Sequence, residues 1–376
     1  MLDLRTGLSV SGTPLAETLQ EARRASEICN ACRYCEGYCP VFPAMFARRA
    51  FPDGDLGHLA HLCHNCKGCY HACQYAPPHE FGLNLPAVLA ELRAEDYARF
   101  AWPKAAGRLF RRNGAVVALA TAAALSAVLI LSMLLAGGEL GRVHRGDGAF
   151  YAVIPHGVMA WTAGITFGWA MLAIAMGVWR YWRECGGGRV RWPALRAALA
   201  DAATTRHLSG HGAGGCNDLD DGFAQARRHL HLATMWGFVL CFASTCVAAF
   251  VAYAFGWEAP YSWYSLPVLL GTAGGVGLVV GTAGLFAVKL ATDRAPEATQ
   301  RWGMDTGFTV LLFFTAATGL ALLFWRHTGA MGWLLAIHLG FVLALFVTLP
   351  YGKFVHAAYR LAALVRHHAE RLDRPA

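Results

Sequence analysis

Residues 1–112 mix polar and apolar positions as a soluble segment does, whereas apolar stretches dominate from 113 to 352. The opening MLDLRTGLSVSGTPLAETLQEARR reads as a polar helix leading to Cys29. Between Arg112 and Glu139 runs GAVVALATAAALSAVLILSMLLAGG, without a charge. Comparable stretches lie between Asp147 and Arg180 (broken by His156), His231 and Glu258, Glu258 and Lys289, Asp305 and Arg326, and Arg326 and Lys353. About 20 predominantly apolar residues cross about 30 Å of hydrocarbon as a helix. The pattern predicts a mainly α protein: a domain over 1–112, a six-helix transmembrane bundle over 113–356 with a polar loop at 180–228, and a tail over 357–376. Six spans put both termini on one side.

Charge decides which side. The chain is 56% hydrophobic and 15% charged, with a net charge of +8, where a soluble protein carries about 25% charged residues. The segments on the termini side hold twenty Lys and Arg from Lys104 to Arg374, and the opposite loops hold Arg142, Arg145 and Arg326. The positive-inside rule then makes the termini cytoplasmic and the location the inner membrane. It also accounts for the positive balance without nucleic acid. No apolar h-region precedes the cysteines, so no signal peptide is expected, nor a disulfide framework, which belongs to exported domains.

Eight of the twelve cysteines form two groups, CNACRYCEGYCP (29–40) and CHNCKGCYHAC (63–73). C-x2-C-x2-C-x3-C-P is the run that binds a 4Fe–4S cluster, its fourth cysteine ligating the other cluster in two-cluster proteins. The spacing assigns Cys29, Cys32, Cys35 and Cys73 to one cluster and Cys63, Cys66, Cys69 and Cys39 to the other, in a ferredoxin-like domain. Zinc also takes four thiolates, but its sites pair two C-x2-C elements across a longer loop. In the second run Gln74 replaces the usual proline. His58, His61, His64 and His71 read as surface or supporting groups, because eight cysteines already fill two clusters.

Ionisable groups within a bilayer are expensive and functional by default. His156 and His338 lie at similar depth toward the outer side, and His231 and His356 toward the inner. Each pair is expected to hold a b haem, the alternative being polar histidines bonding across helices or at the headgroup boundary. The 18 residues from His338 to His356 are five turns of helix, which would put both on one face unless Pro350 kinks it. GTAGGVGLVVGTAG (271–284) has the glycines of a dinucleotide loop but lies within a span, so close helix packing through Gly271/Gly275 and Gly277/Gly281 is expected instead.

These features resemble the TcuB/CitB family of membrane iron–sulfur proteins of tricarballylate and citrate utilisation, over nearly the whole chain. The resemblance rests on CNACRYCEGYCPVFPAM (29–45), CHNCKGCYHACQYAPPHEFGLNLP (63–86), GHGAGGCNDLDD (210–221), LCFASTCVA (240–248), GWEAPY (256–261), SLPVLLGTAGG (265–275) and LPYGKFVH (349–356). Gln74 fits that family's pattern. The resemblance implies an electron-transfer subunit without a substrate-oxidising site of its own, which takes electrons from an FAD-dependent dehydrogenase of the TcuA type and passes them toward the quinone pool. A b haem is implied for relatives in which the two proteins are fused, and the histidine ligands come from the depth argument. The Cys216 loop reads as a docking or packing element. A transporter with a redox-sensing iron–sulfur domain is the alternative, and the lack of an acidic residue at mid-depth counts against it. A scaffold that stores clusters is a third reading.

Overall fold

The computed structural model describes residues 14–137, 139–210, 214–298 and 302–373. The start of the expected N-terminal helix, residues 211–213 of the glycine-rich loop, Arg301 and Arg374 lie outside the described residues. Among those described, thirteen α-helices form and no sheet does; one antiparallel bridge pairs Cys216 with Ala224. In chain order they are α1 (Pro14–Cys32), α2 (Val41–Phe46), α3 (Asp53–Leu62), α4 (Gly68–His71), α5 (Leu85–Phe100), α6 (Asn113–Leu135) and α7 (His156–Glu184). There follow α8 (Trp192–Ala203), α9 (Ala226–Phe255), α10 (Leu266–Ala291), α11 (Trp302–Trp325), α12 (Met331–Thr348) and α13 (Val355–Leu372).

Six of these, α6, α7 and α9 to α12, are long and apolar enough to cross a bilayer. They carry large apolar side chains outward: Leu119, Ile130 and Leu134 on α6, Trp161 and Ile165 on α7, Phe250 on α9. In water that surface would be an aggregation hazard; in lipid it is the covering layer. The architecture is that of a multi-pass membrane protein. Between α9 and α10 small residues replace a hydrophobic seam. A Cβ added to Gly274 would stand 2.7 Å from the Cys241 backbone nitrogen, and one on Gly237 2.7 Å from that of Leu278. Gly271 and Gly277 also face α9, whereas Gly275 faces Leu320 of α11, so the glycines serve two neighbours rather than one. Van der Waals contact at short range is what holds helices together where lipid is as apolar as leucine.

Polar segments gather at one end of the bundle. The N-terminal core is built from Leu19, Ala22 and Ala25 of α1, Phe42 and Met45 of α2, Leu56, Leu59 and Leu62 of α3, and Leu85, Leu89 and Leu92 of α5. Asn84 starts α5 by accepting from the Ala87 amide (3.2 Å), with Pro86 in the first turn, a position where the missing N–H costs nothing.

Ala363, Leu364 and Val365 of α13 lie in this same core. The segment read as a tail is therefore an amphipathic helix packed against α3 and α8, clamped by Arg366 to Asp55 and by Arg48 to Glu370 (2.7 Å). It is not a continuation of α12. The chain breaks in a 3-10 turn at Leu349–Tyr351, and Gly352 is extended (φ −142°, ψ −166°) before α13 begins. Pro350 has no N–H to offer the preceding turn and its ring crowds the carbonyl behind it. The expectation that His338 and His356 share one helical face is thereby corrected: they stand on separate helices.

Candidate functional site

The first cysteine group begins on regular helix and leaves it. Cys29 and Cys32 stand one turn apart near the end of α1, which stops at Arg33, a residue at φ 56°. Cys35 follows in the turn after it, and Cys39 just before α2. One cavity is lined by Cys29, Cys32, Cys35 and Cys73, with Phe42, Leu83 and Leu85 among its apolar walls. The Cys29 thiol is pushed up to about 12, first by burial and then by Cys73, Cys35 and Cys32. Cys35 is pushed to about 12 by burial, Cys73 and Cys32. Each thiolate formed would oppose the ionisation of its neighbours.

Cys39 turns the other way. Its thiol is raised by burial and by Cys66 and Cys63, with partial relief from the Val41 and Phe42 amides. Cys69 is raised by burial, Cys66, Cys39 and Cys63, and more weakly by Cys35. The structure thus brings together Cys29, Cys32, Cys35 and Cys73 as one set and Cys39, Cys63, Cys66 and Cys69 as a second. Cys69 also lines the first cavity, so the two sets share a wall.

The donors suit a soft, cationic group larger than one ion. In tetrahedral zinc, sulfurs about 2.3 Å from the metal stand about 3.8 Å apart. Among the described residues no three His, Cys, Asp or Glu side chains converge closely enough to hold a single ion. Binding would have to expel protons from thiols raised this far, which couples metal uptake to pH. Amide donors already point at the sulfurs. Asn65 N–H donates to Cys63 Sγ (3.4 Å), and the Gln74 amide to Cys32 Sγ (3.8 Å). Asn65 and Lys67 hold φ of 54° and 65°, a backbone alternation that turns successive N–H groups toward one concavity.

The second run is clamped from behind. Arg93 of α5 and Arg360 of α13 both donate to the Cys63 carbonyl (2.6 Å each), and Arg227 of α9 donates to that of Asn65 (2.7 Å). The Arg360 guanidinium is pulled down to about 10 by burial and by Arg93. Lys67 is buried, bonded to Thr292 Oγ1 (2.7 Å) and paired with Glu297 (3.0 Å). The Asn217 amide donates to the Cys66 carbonyl (2.9 Å), while buried Cys216 bonds the Leu208 carbonyl. The glycine-rich loop is therefore a packing element laid on the second cysteine run.

The four histidines expected to hold haem fare differently. His231 of α9 and His356 at the start of α13 bring their rings to 6.3 Å between centroids, at 82°. His356 donates its Nδ1 proton to the Lys353 carbonyl (2.6 Å), leaving Nε2 as the free nitrogen. Burial, Lys353 and Arg360 hold His356 well below the usual histidine range, so it stays neutral. His338 likewise directs Nδ1 at the Thr315 carbonyl (3.1 Å), with Thr318 Oγ1 at 3.3 Å. His156 opens α7 and packs edge-on against Tyr151 and Tyr253. Among the described residues no ring contact joins His156 to His338. The sequence reading overlooked Arg93, Arg227 and Arg360. Only Arg360 left a signal, standing one turn after His356.

A cysteine-rich helical domain seated on six apolar helices defines an iron–sulfur membrane protein. The family models bear this out. Residues 22–99 match the "Citrate utilization protein B Fer4-like domain" and residues 108–376 match "Citrate utilization protein B". The chain belongs to the citrate utilization protein B family. It is 46% identical over 364 residues to the Citrate utilization protein B of Escherichia coli, covering 97% of this chain and 96% of that protein. No solved structure matches.

Proposed function

We propose that this chain is an electron-transfer protein of the inner membrane, its termini cytoplasmic, which relays electrons from an FAD-dependent dehydrogenase of the TcuA type to the quinone pool. In this reading Cys29, Cys32, Cys35 and Cys73 hold one 4Fe–4S cluster and Cys39, Cys63, Cys66 and Cys69 the other. His231 and His356 hold a b haem. The relative's name and the family resemblance point to tricarballylate or citrate as the dehydrogenase's substrate. When bound, these groups supply one-electron redox chemistry; the chain supplies ligands, spacing and exclusion of water.

The observation that carries the reading is continuity. Cys69 of the second four-thiol set also lines the cavity of the first, and Arg360 joins the Cys63 carbonyl to the helix turn bearing His356. His231 and His356 would hold the haem iron: their rings approach to 6.3 Å between centroids, and His356 commits Nδ1 to the Lys353 carbonyl, which leaves its Nε2 available. Among the described residues no imidazole packs against His338, so one haem is proposed at the inner pair.

The test is a dithionite-reduced minus air-oxidised visible spectrum of the detergent-purified protein. A b-haem signature is expected, lost in His231→Ala and kept in His156→Ala. Iron–sulfur bleaching alone would refute the haem. Cys73→Ser and Cys39→Ser should each remove about half of the cluster iron; loss of none in either would refute the cluster sites.

A further inference from the structure

The cations around the cysteines are unequal: at the first run the exposed Arg33 donates to the Asn30 carbonyl (3.2 Å), whereas the second run gathers more. Three guanidiniums from helices far apart in the chain, those of Arg93, Arg227 and Arg360, donate to carbonyls within residues 63–65. Arg227 is partly offset by Asp218 (3.1 Å). Among the described ion pairs neither Arg93 nor Arg360 has a carboxylate. At the first set the side-chain donor is the neutral Gln74 amide on Cys32. The thiols there are shifted by burial and by one another.

Reduction adds negative charge to a cluster. Nearby cations in a medium of low dielectric stabilise the reduced form, and cluster potentials follow local charge and hydrogen bonding. We infer that Arg93, Arg227 and Arg360 make the second cysteine set the higher-potential of the two cluster sites, so that electrons enter at the first set and leave from the second toward the bundle. The inference rests on both sets holding 4Fe–4S clusters. The transfer balances simply: the first site loses one electron, the second gains it, and no proton or ligand is exchanged. The reductant is a two-electron flavin donor, which delivers its electrons singly. Geometry agrees with the direction, because residues 63–66 are bonded to α9, α13 and the Cys216 loop, whereas Tyr34 and Gln74 at the first set are exposed.

A brace and a charge make different predictions. The full-length protein in detergent would be titrated with mediators, and both clusters followed by electron paramagnetic resonance. Two steps are expected. Arg227→Gln should lower the upper step and leave the lower in place, Arg227→Lys should restore most of the shift, and Gln74→Leu should move only the lower. If Arg227→Gln fails to assemble, the Arg360→Gln and Arg360→Lys pair reads the same quantity. An unmoved upper step in the Gln variants, or equal shifts with Lys and Gln, would overturn the inference. Wild-type protein with iron but no 4Fe–4S signal would refute the cluster reading instead.

Discussion

His58 makes the N-terminal core acid-labile to a calculable degree. It lies on α3, wholly buried, and neither ring nitrogen finds a hydrogen-bond partner. Burial, then the cations of Arg366 and Arg48, then His367 and His61, hold its folded value well below the usual range. An unfolded histidine titrates near 6.5. Below that pH the unfolded chain takes up a proton that the folded chain refuses, so stability is whole above about 6.5 and falls as pH drops. The slope can reach about 1.4 kcal/mol per pH unit while the folded histidine stays unprotonated, a ceiling of about 2 kcal/mol between about pH 6.5 and about pH 5. Asp201 does not confuse that window. Burial alone would raise its carboxyl, but His368 and His207 hold it below the usual range, and its contribution is lost only below about pH 4. The perturbation is His58→Leu, and the assay is denaturant unfolding of the detergent-solubilised protein at both ends of the window. Whatever the variant's stability at neutral pH, the gap to wild type should move in its favour on acidification, by up to about 2 kcal/mol. A gap that stays constant would refute the reasoning.

Other substitutions probe packing and pairing. Gly274→Val should cost about 1–3 kcal/mol by overpacking α9 against α10, lowering the calorimetric midpoint, whereas Gly164→Val, with nothing within 4 Å of its Cβ, should leave it in place. Lys67→Met leaves the Glu297 carboxylate with the Trp302 indole N–H (3.0 Å) but no cation and should cost about 1–3 kcal/mol; denaturant unfolding should show much of that recovered in Lys67→Met/Glu297→Gln. Asp201→Ala removes the carboxylate that both His207 and His368 reach at 2.9 Å. It should cost about 1–3 kcal/mol and speed proteolysis of the segment between α7 and α9.

What was legible in the sequence is what is local. The six apolar runs and the two cysteine groups are each written within a few turns of chain, and hydropathy and spacing read them directly. Depth along the spans drew attention to His231 and His356, which do meet. It could not say that His156 is occupied by Tyr151 and Tyr253 instead. Helical period misplaced His356 relative to His338 because period assumes an unbroken helix, and Pro350 with Gly352 ends it. The arginine clamp was invisible for a different reason. Arg227 and Arg360 looked like two more positive charges at a membrane surface, and nothing along the chain says that α5, α9 and α13 aim at the same carbonyl pair.

The position of α13 also sets an order of events during synthesis. The eight cysteines are made before α13, yet the core beneath them lacks Ala363, Leu364 and Val365, and Cys63 lacks the Arg360 guanidinium, until that helix has been made. All six apolar helices must be threaded before that stretch is free to return. A nascent chain arrested ahead of Val355 would possess every thiol and every span and still present an open, unbraced cysteine domain.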